Sequence, residues 1–272
     1  ASGAAPLPPE SRRQPLSTAL DLIAQVAPDF GGTCVTSVPQ TATLDLPIRL
    51  VDGRTLPYKL HLRQDGEWIE ARESTPHHLP GFCPERHINY DGTFCLFYAG
   101  ANPLPVSDEP SARAWLETIY KYLKLQERAR TLRRWPNGSA WAHGDAARHQ
   151  LRAQKAASAI SGKIANDLAV NQLGLKRRKS KERPILDVIS GTVPLFSVWE
   201  KSRRVINQKR RCFCGLYGRR RPKRIRRCHD HAKQATELAF ALRDWEEAER
   251  QYWDSMHGKP CCGSCDSCPL SP

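Results

Sequence analysis

Seven of the ten cysteines lie after residue 211, in close-spaced groups with histidines nearby. Cys212-x-Cys214 followed by Cys228-x-x-His231 offers four soft or borderline donors at a spacing that suits tetrahedral zinc. His229 competes with His231 for the fourth place. The tail Cys261-Cys262-x-x-Cys265-x-x-Cys268 offers four more thiols, with His257 just upstream, and its adjacent cysteines leave the ligand choice open. Pairing across the two groups is open as well. In a secreted chain such cysteines would read as disulfides. The tight spacing and the histidines read instead as two structural Zn2+ ions in a reducing cytoplasm. Cys34 and Cys83 have no metal spacing and read as packing residues.

The remaining thiol, Cys95, closes the segment Glu85-Arg86-His87-Ile88-Asn89-Tyr90-Asp91-Gly92-Thr93-Phe94-Cys95-Leu96. This segment resembles the active-site segment of ubiquitin-conjugating enzymes, in its prokaryotic form. That family shows a His-Pro-Asn tripeptide, an Ile, a Gly-containing turn, then Cys-Leu. Ile88, Gly92, Cys95 and Leu96 fall at the matching positions. Aligned without gaps on Cys95, the tripeptide falls on Glu85, Arg86 and His87, so His87 stands where the family has Asn. The resemblance covers roughly residues 16–150 and implies a thioester to a ubiquitin-like protein on Cys95. It implies an activating enzyme as donor and a protein amine as acceptor. An appended cysteine-rich region is similar to bacterial proteins of ubiquitin-like conjugation pathways, some linked to phage defence. In that chemistry the thiolate is the nucleophile. His87 can give an N–H to the oxyanion or take the amine's proton, and Asp91 can help desolvate or deprotonate the amine. Asp91-Gly92 and Asn89 are also turn formers in their own right.

These residues need elements to position them. Leu16–Ala27 carries apolar residues at helical spacing and stops before Pro28 and Gly31-Gly32. Thr33–Val38, Thr41–Val51, Leu56–Leu62 and Glu67–Ala71 are rich in β-formers and are separated by turn residues, including Asp52-Gly53 and Asp65-Gly66. They predict an antiparallel meander. Ser111–Arg130 predicts an amphipathic helix. Trp135 and Trp141 read as core anchors, with His143 placed to approach the site. Leu151–Leu173 is Ala-rich and reads as helical. Lys176–Lys181 reads as a charged surface segment or linker, Ile185–Val198 as one or two strands, and His231–Met256 as a helix. The expected fold class is α+β: a UBC-like antiparallel meander flanked by helices, plus a small zinc-stabilised, helix-rich C-terminal domain. The expected division is a flexible leader at 1–15, a conjugating domain at 16–150 and a basic cysteine-rich zinc domain at 151–272.

The net charge of +14 is unevenly placed: residues 155–272 carry +13 and residues 1–154 only +1. Lys201–Arg227 holds 13 Lys and Arg and no acidic residue. Such a segment points to an anionic partner: nucleic acid, or an acidic protein face. No interleaved aromatic stripe favours nucleic acid. No run of ~18 apolar residues occurs, so no membrane partner is expected. The alternative to an enzyme is an inactive adaptor on the same fold with a basic zinc module.

Overall fold

The computed structural model describes residues 18–136, 140–181, 183–214, 223–228 and 230–271. The leader at 1–15, much of the centre of the basic segment and His229 lie outside the described residues. The chain forms two compact units, one holding residues up to His78 with Leu104–Tyr120, the other Leu79–Pro103 with Lys121 onward.

The first unit opens with helix α1, Ala19–Val26. Thr18 caps it reciprocally: its hydroxyl accepts from the Asp21 N–H at 3.2 Å, and its own N–H donates to the Asp21 carboxylate at 2.9 Å. Leu20, Ile23 and Val26 form the buried stripe. Strands β1 (Thr33–Val38), β2 (Thr41–Arg49), β3 (Thr55–Asp65) and β4 (Trp68–Glu73) pair antiparallel in chain order. Alternation in β2 turns Ala42, Leu44, Leu46 and Ile48 inward. In β3 it does the same for Tyr58, Leu60 and Leu62. The turns at Asp52-Gly53 and Asp65-Gly66 place glycine at φ 85° and 59°, conformations a Cβ would oppose. Helix α2, Glu109–Leu132, begins where the Asp108 carboxylate accepts from the Ser111 N–H at 2.8 Å. Its Trp115 is fully buried and donates its indole N–H to the Ile69 carbonyl at 3.3 Å. Trp115→Ala should therefore cost about 3–5 kcal/mol. A urea-midpoint series on the first unit's transition checks this, and a loss below about 1 kcal/mol would show that the indole is not the anchor of this core.

The second unit contains the second half of α2, then α3 (Ala146–Ile160), α4 (Gly162–Ala169) and α5 (His231–Ser255). It also contains a second antiparallel sheet: β5 (Leu173–Ser180), β6 (Arg183–Ser190), β7 (Val193–Trp199) and the short β8 (Arg204–Val205). The Ala-rich stretch is two helices, because Ser161 leaves helical conformation at φ −171° and caps α4 through its hydroxyl. The charged run at 176–181 is a correction to the linker reading. Lys176, Arg177, Arg178 and Lys179 belong to β5, paired residue for residue with β6. The apolar β6 supplies the ladder, while the exposed charges keep this edge strand from pairing further. Ile185–Val198 gives two strands, turned at Gly191. The core joins Ala153, Ala156 and Ile160 of α3 to Leu186, Val188, Phe196 and Val198 of the sheet and to Leu238 and Phe240 of α5.

Candidate active site and metal centre

The segment that carries Cys95 is a folded loop. Cys83 and Ile88 exchange two backbone hydrogen bonds, at 3.1 and 3.0 Å, around the single turn Pro84–Arg86. Ile88 bridges in turn to Phe94, and the Cys95 N–H donates to the His87 carbonyl at 2.9 Å. Between them Gly92 takes φ 81°. The Asp91 carboxylate accepts from the Thr93 N–H at 3.0 Å and from the Thr93 hydroxyl at 2.6 Å. Asp91 thus braces the turn beside Cys95. Phe94 is buried, and Cys95 itself is exposed.

Helix α2 fixes this loop from beneath. The Tyr122 hydroxyl donates to the His87 carbonyl at 2.9 Å, and the Gln126 amide donates to the Arg86 carbonyl at 2.6 Å. The Arg86 guanidinium is buried and donates to the Gln126 side chain and carbonyl at 2.8 and 3.0 Å. Such bonds explain how His87 keeps a left-handed φ of 55°, unusual for a residue with a side chain.

The His87 ring is buried. It meets Trp135 edge-on at 5.0 Å and stacks on His143 at 5.5 Å. His143 stacks on its other side against Tyr252 of α5 at 4.8 Å. Glu249, one turn earlier in α5, pairs its carboxylate with His143 Nδ1 at 2.5 Å and accepts from the His143 backbone N–H at 3.2 Å. His143 Nε2 meets the Pro84 carbonyl at 3.1 Å. Both ring nitrogens face acceptors, which is the pattern of an imidazolium with two N–H donors. Burial opposes that charge, but the Glu249 carboxylate, the Pro84 carbonyl and the Glu85 charge hold the His143 pKa above the ordinary histidine value. Burial and the His143 charge bring His87 down to about 4, so its ring is neutral at neutral pH. The protein packed around Cys95 raises its thiol by desolvation, although the residue keeps its solvent-accessible surface. Tyr252 is raised to about 12, first by burial and then by the nearby charges of Cys95, Glu249 and Glu85. Glu249 and Tyr252, about 160 residues beyond Cys95 in sequence, carried no signal in the chain.

Cys212, Cys214, Cys228 and His231 converge as their spacing suggested. All four are buried, and their donor atoms lie within 4.8 Å of one another. Cys212 Sγ is 3.3 Å from His231 Nδ1, and Cys214 Sγ is 3.9 Å from Cys228 Sγ. Zinc–sulfur bonds of ~2.3 Å in a tetrahedron put sulfurs roughly 3.8 Å apart, so this donor set fits a closed structural site. Among the described residues no other set of His, Cys, Asp or Glu converges in this way.

In the tail, Cys262 Sγ lies 2.9 Å from the Ser264 hydroxyl, and the Gly263 N–H reaches Cys261 Sγ at 3.3 Å. Cys83 is buried, as its packing reading requires, and its Sγ also lies 3.8 Å from the Ser264 hydroxyl of the tail, a contact that no spacing within the chain could have signalled. The Cys83 bond is the largest cause bringing the Cys262 thiol down to about 5. Cys34 lies in β1 opposite Leu44, its thiol raised to about 11 by burial.

Two family models match the chain. Residues 31–137 match the prokaryotic E2 domain, and residues 142–270 match the cysteine-rich domain that lies C-terminal to an E2 domain. The protein is thus of the ubiquitin-conjugating class. It belongs to the prokaryotic E2 proteins that carry a cysteine-rich domain behind the E2 domain. Such membership implies, in general terms, dealings with ubiquitin-like proteins and their activating enzymes. Searches of curated proteins and of solved structures give no match. No helix among the described residues is long and apolar enough to cross a membrane.

Proposed function

We propose that the protein accepts a ubiquitin-like protein as a thioester on Cys95 and passes it to an amine. The observation that carries this is the position of Cys95: an exposed thiol at the end of a loop braced on both sides, within the E2 match. Its thiolate attacks the carrier's C-terminal thioester on the activating enzyme and displaces that enzyme's thiolate. An acceptor amine then attacks the new thioester, forms the amide and releases Cys95. A neutral His87 suits the role of N–H donor to the oxyanion better than that of base, since a group near pKa 4 holds a proton poorly. Asp91, exposed in the turn four residues before Cys95, takes the role of helping to desolvate or deprotonate the amine. His143 and Glu249 position His87 without reacting themselves.

Zinc is the reading for the metal. One structural ion sits at Cys212, Cys214, Cys228 and His231, and a second draws its ligands from among the tail thiols Cys261, Cys262, Cys265 and Cys268. The support is the geometry of the first set and the cysteine-rich character of the second. The pathway we infer is a bacterial, cytoplasmic ubiquitination-like one with a role in antiphage defence, supported by the family alone. The basic segment gives it an anionic partner, an acidic protein face or nucleic acid.

Incubation with the cognate activating enzyme, nucleotide and carrier should give an adduct that thiols cleave. Cys95→Ser should trap a thiol-resistant oxyester, and Cys95→Ala should form nothing. Normal charging of Cys95→Ala would overturn the assignment. The adaptor reading draws on the burial of the His87 ring, and it predicts no adduct even with wild-type protein.

A further inference from the structure

The tail and the Cys95 loop meet at sulfur. Cys83, the first residue of the loop's bridge, is 1% exposed. Its Sγ lies 3.8 Å from the Ser264 hydroxyl, which is itself 2.9 Å from Cys262 Sγ, so the Cys83 thiol faces the Cys262–Cys265 turn. Cys265 is buried as well. The Cys262–Cys265 turn is pinned from the end of α2: Arg133 donates to the Gly263 carbonyl at 3.0 Å and pairs with Asp266, whose N–H donates to the Arg133 carbonyl at 2.9 Å. Lys259, just upstream, lies over the Tyr90 ring at 4.0 Å.

Two further observations point to a ligand. The first is a repeated backbone pattern. In the converged cluster, Cys212 receives a backbone hydrogen bond from Cys214, two residues on. In the tail, Cys262 receives one from Ser264, and Cys268 one from Leu270, each again two residues on; the Gly263 N–H reaches Cys261 Sγ at 3.3 Å. N–H groups aimed at a sulfur favour and orient its anionic, metal-binding form. The second is Arg86. Its guanidinium is 2% exposed and bonds only to neutral groups of Gln126; among the described residues no carboxylate pairs with it. A buried cation of this kind calls for an anion nearby. A divalent ion held by three or more thiolates leaves net negative charge at that place.

We propose that Cys83 is a metal ligand, joining Cys262 and Cys265 as the thiolate core of a second site for a thiophilic divalent ion of the zinc class. One thiol of the Cys261–Cys268 pair completes the tetrahedron. The site draws one ligand from the E2 match and the others from the cysteine-rich match, so the ion ties the two domains covalently at the base of the Cys95 loop. This rests on the tail binding metal at all, but not on Cys95 forming a thioester.

The test uses the full chain, purified under reducing conditions and loaded with cobalt or cadmium. Wild-type protein should bind two equivalents. Cys83→Ser should lose one equivalent, or hold it at least tenfold more weakly against a chromophoric chelator, with a fall in thiolate-to-cobalt absorption. Cys34→Ser should change nothing. Cadmium-edited NMR of the unmutated protein gives a readout that does not depend on a variant folding: the Cys83 Hβ protons should couple to cadmium. Two equivalents in Cys83→Ser at wild-type affinity, or no Cys83 coupling, would overturn the proposal. If Cys265→Ser loses the ion while Cys83→Ser keeps it, the tail site stands and the place of Cys83 in it falls. A single equivalent in wild type, lost only with Cys228→Ser, removes both.

Discussion

Cys228→Ser should unfold helix α5 and the sheet it covers while leaving the β1–β4 meander folded. The expected effect is large because of where the ligands sit. Cys212 and Cys214 follow Arg211, which bridges to Arg224, Cys228 lies four residues beyond Arg224, and His231 is the first residue of α5. A metal ion at these donors therefore joins the start of a 25-residue helix to the end of the sheet. The helix buries Leu238, Phe240 and Leu242, but Arg203 and Arg243 both stack on Phe240, and 13 cations crowd the adjoining segment. Structural zinc contributes roughly 10–16 kcal/mol on binding, against about 5–15 kcal/mol for the whole stability of a typical domain. Losing one thiolate of three removes enough of that to leave the like charges unopposed. Hydrogen exchange read by mass spectrometry should show α5 and β6–β7 exchanging freely in Cys228→Ser and in chelated wild type, with β2 and β3 still protected. Full protection of α5 after complete metal removal would sink this account.

Local chemistry made the meander legible. Period-two burial in β2 and β3 is written in Ala42, Leu44, Leu46 and Ile48 and in Tyr58, Leu60 and Leu62, and the two Asp-Gly pairs set the turns. The first metal cluster was legible for a similar reason: two short-range pairs each fix half of a tetrahedron. Lys176–Lys179 is a charged surface segment as read, but a strand and not a linker, because a charged edge strand takes its structure from its neighbour β6, not from its own propensity. The partners of the Cys95 loop were invisible on a different ground. Glu249, Tyr252, Cys262 and Cys265 reach it across more than 150 residues of chain, and their types alone read as an amphipathic helix face and a zinc tail. The compact unit that holds Cys95 also holds the cysteine-rich half, although the family matches divide between residues 137 and 142.

Glu249→Gln should weaken the site in a way that depends on pH with a definite sign. In the folded protein the His143 pKa is raised, so its contribution is fully present below the unfolded value near 6.5 and is lost as pH rises through the higher folded value. Glu249 is lowered from 4.5 by its bond to His143, despite burial, so its contribution is present above 4.5 and is lost as pH falls through the lower folded value. Their pair therefore stabilises most between those limits. His87 acts in the opposite direction to His143: with a folded value near 4 in the wild type, it costs stability as pH falls from 6.5 toward 4. The glutamine keeps a hydrogen-bond acceptor but removes the charge, and burial then drives His143 toward neutrality. The expected loss is roughly 1–3 kcal/mol at pH 6, shrinking as pH rises past the wild-type His143 value. Urea midpoints of both proteins from pH 5 to 9, with the His143 and His87 ring protons followed by NMR, measure each part separately. The His87 value should rise once its cationic neighbour is gone. Charging of Cys95 should persist, and discharge to an amine should slow if the His87 ring must stay neutral and fixed. A stability difference that is flat across that pH range, with both histidine titrations unmoved, would mean that Glu249 holds α5 in place by shape alone and that the imidazolium between His87 and Tyr252 does not exist.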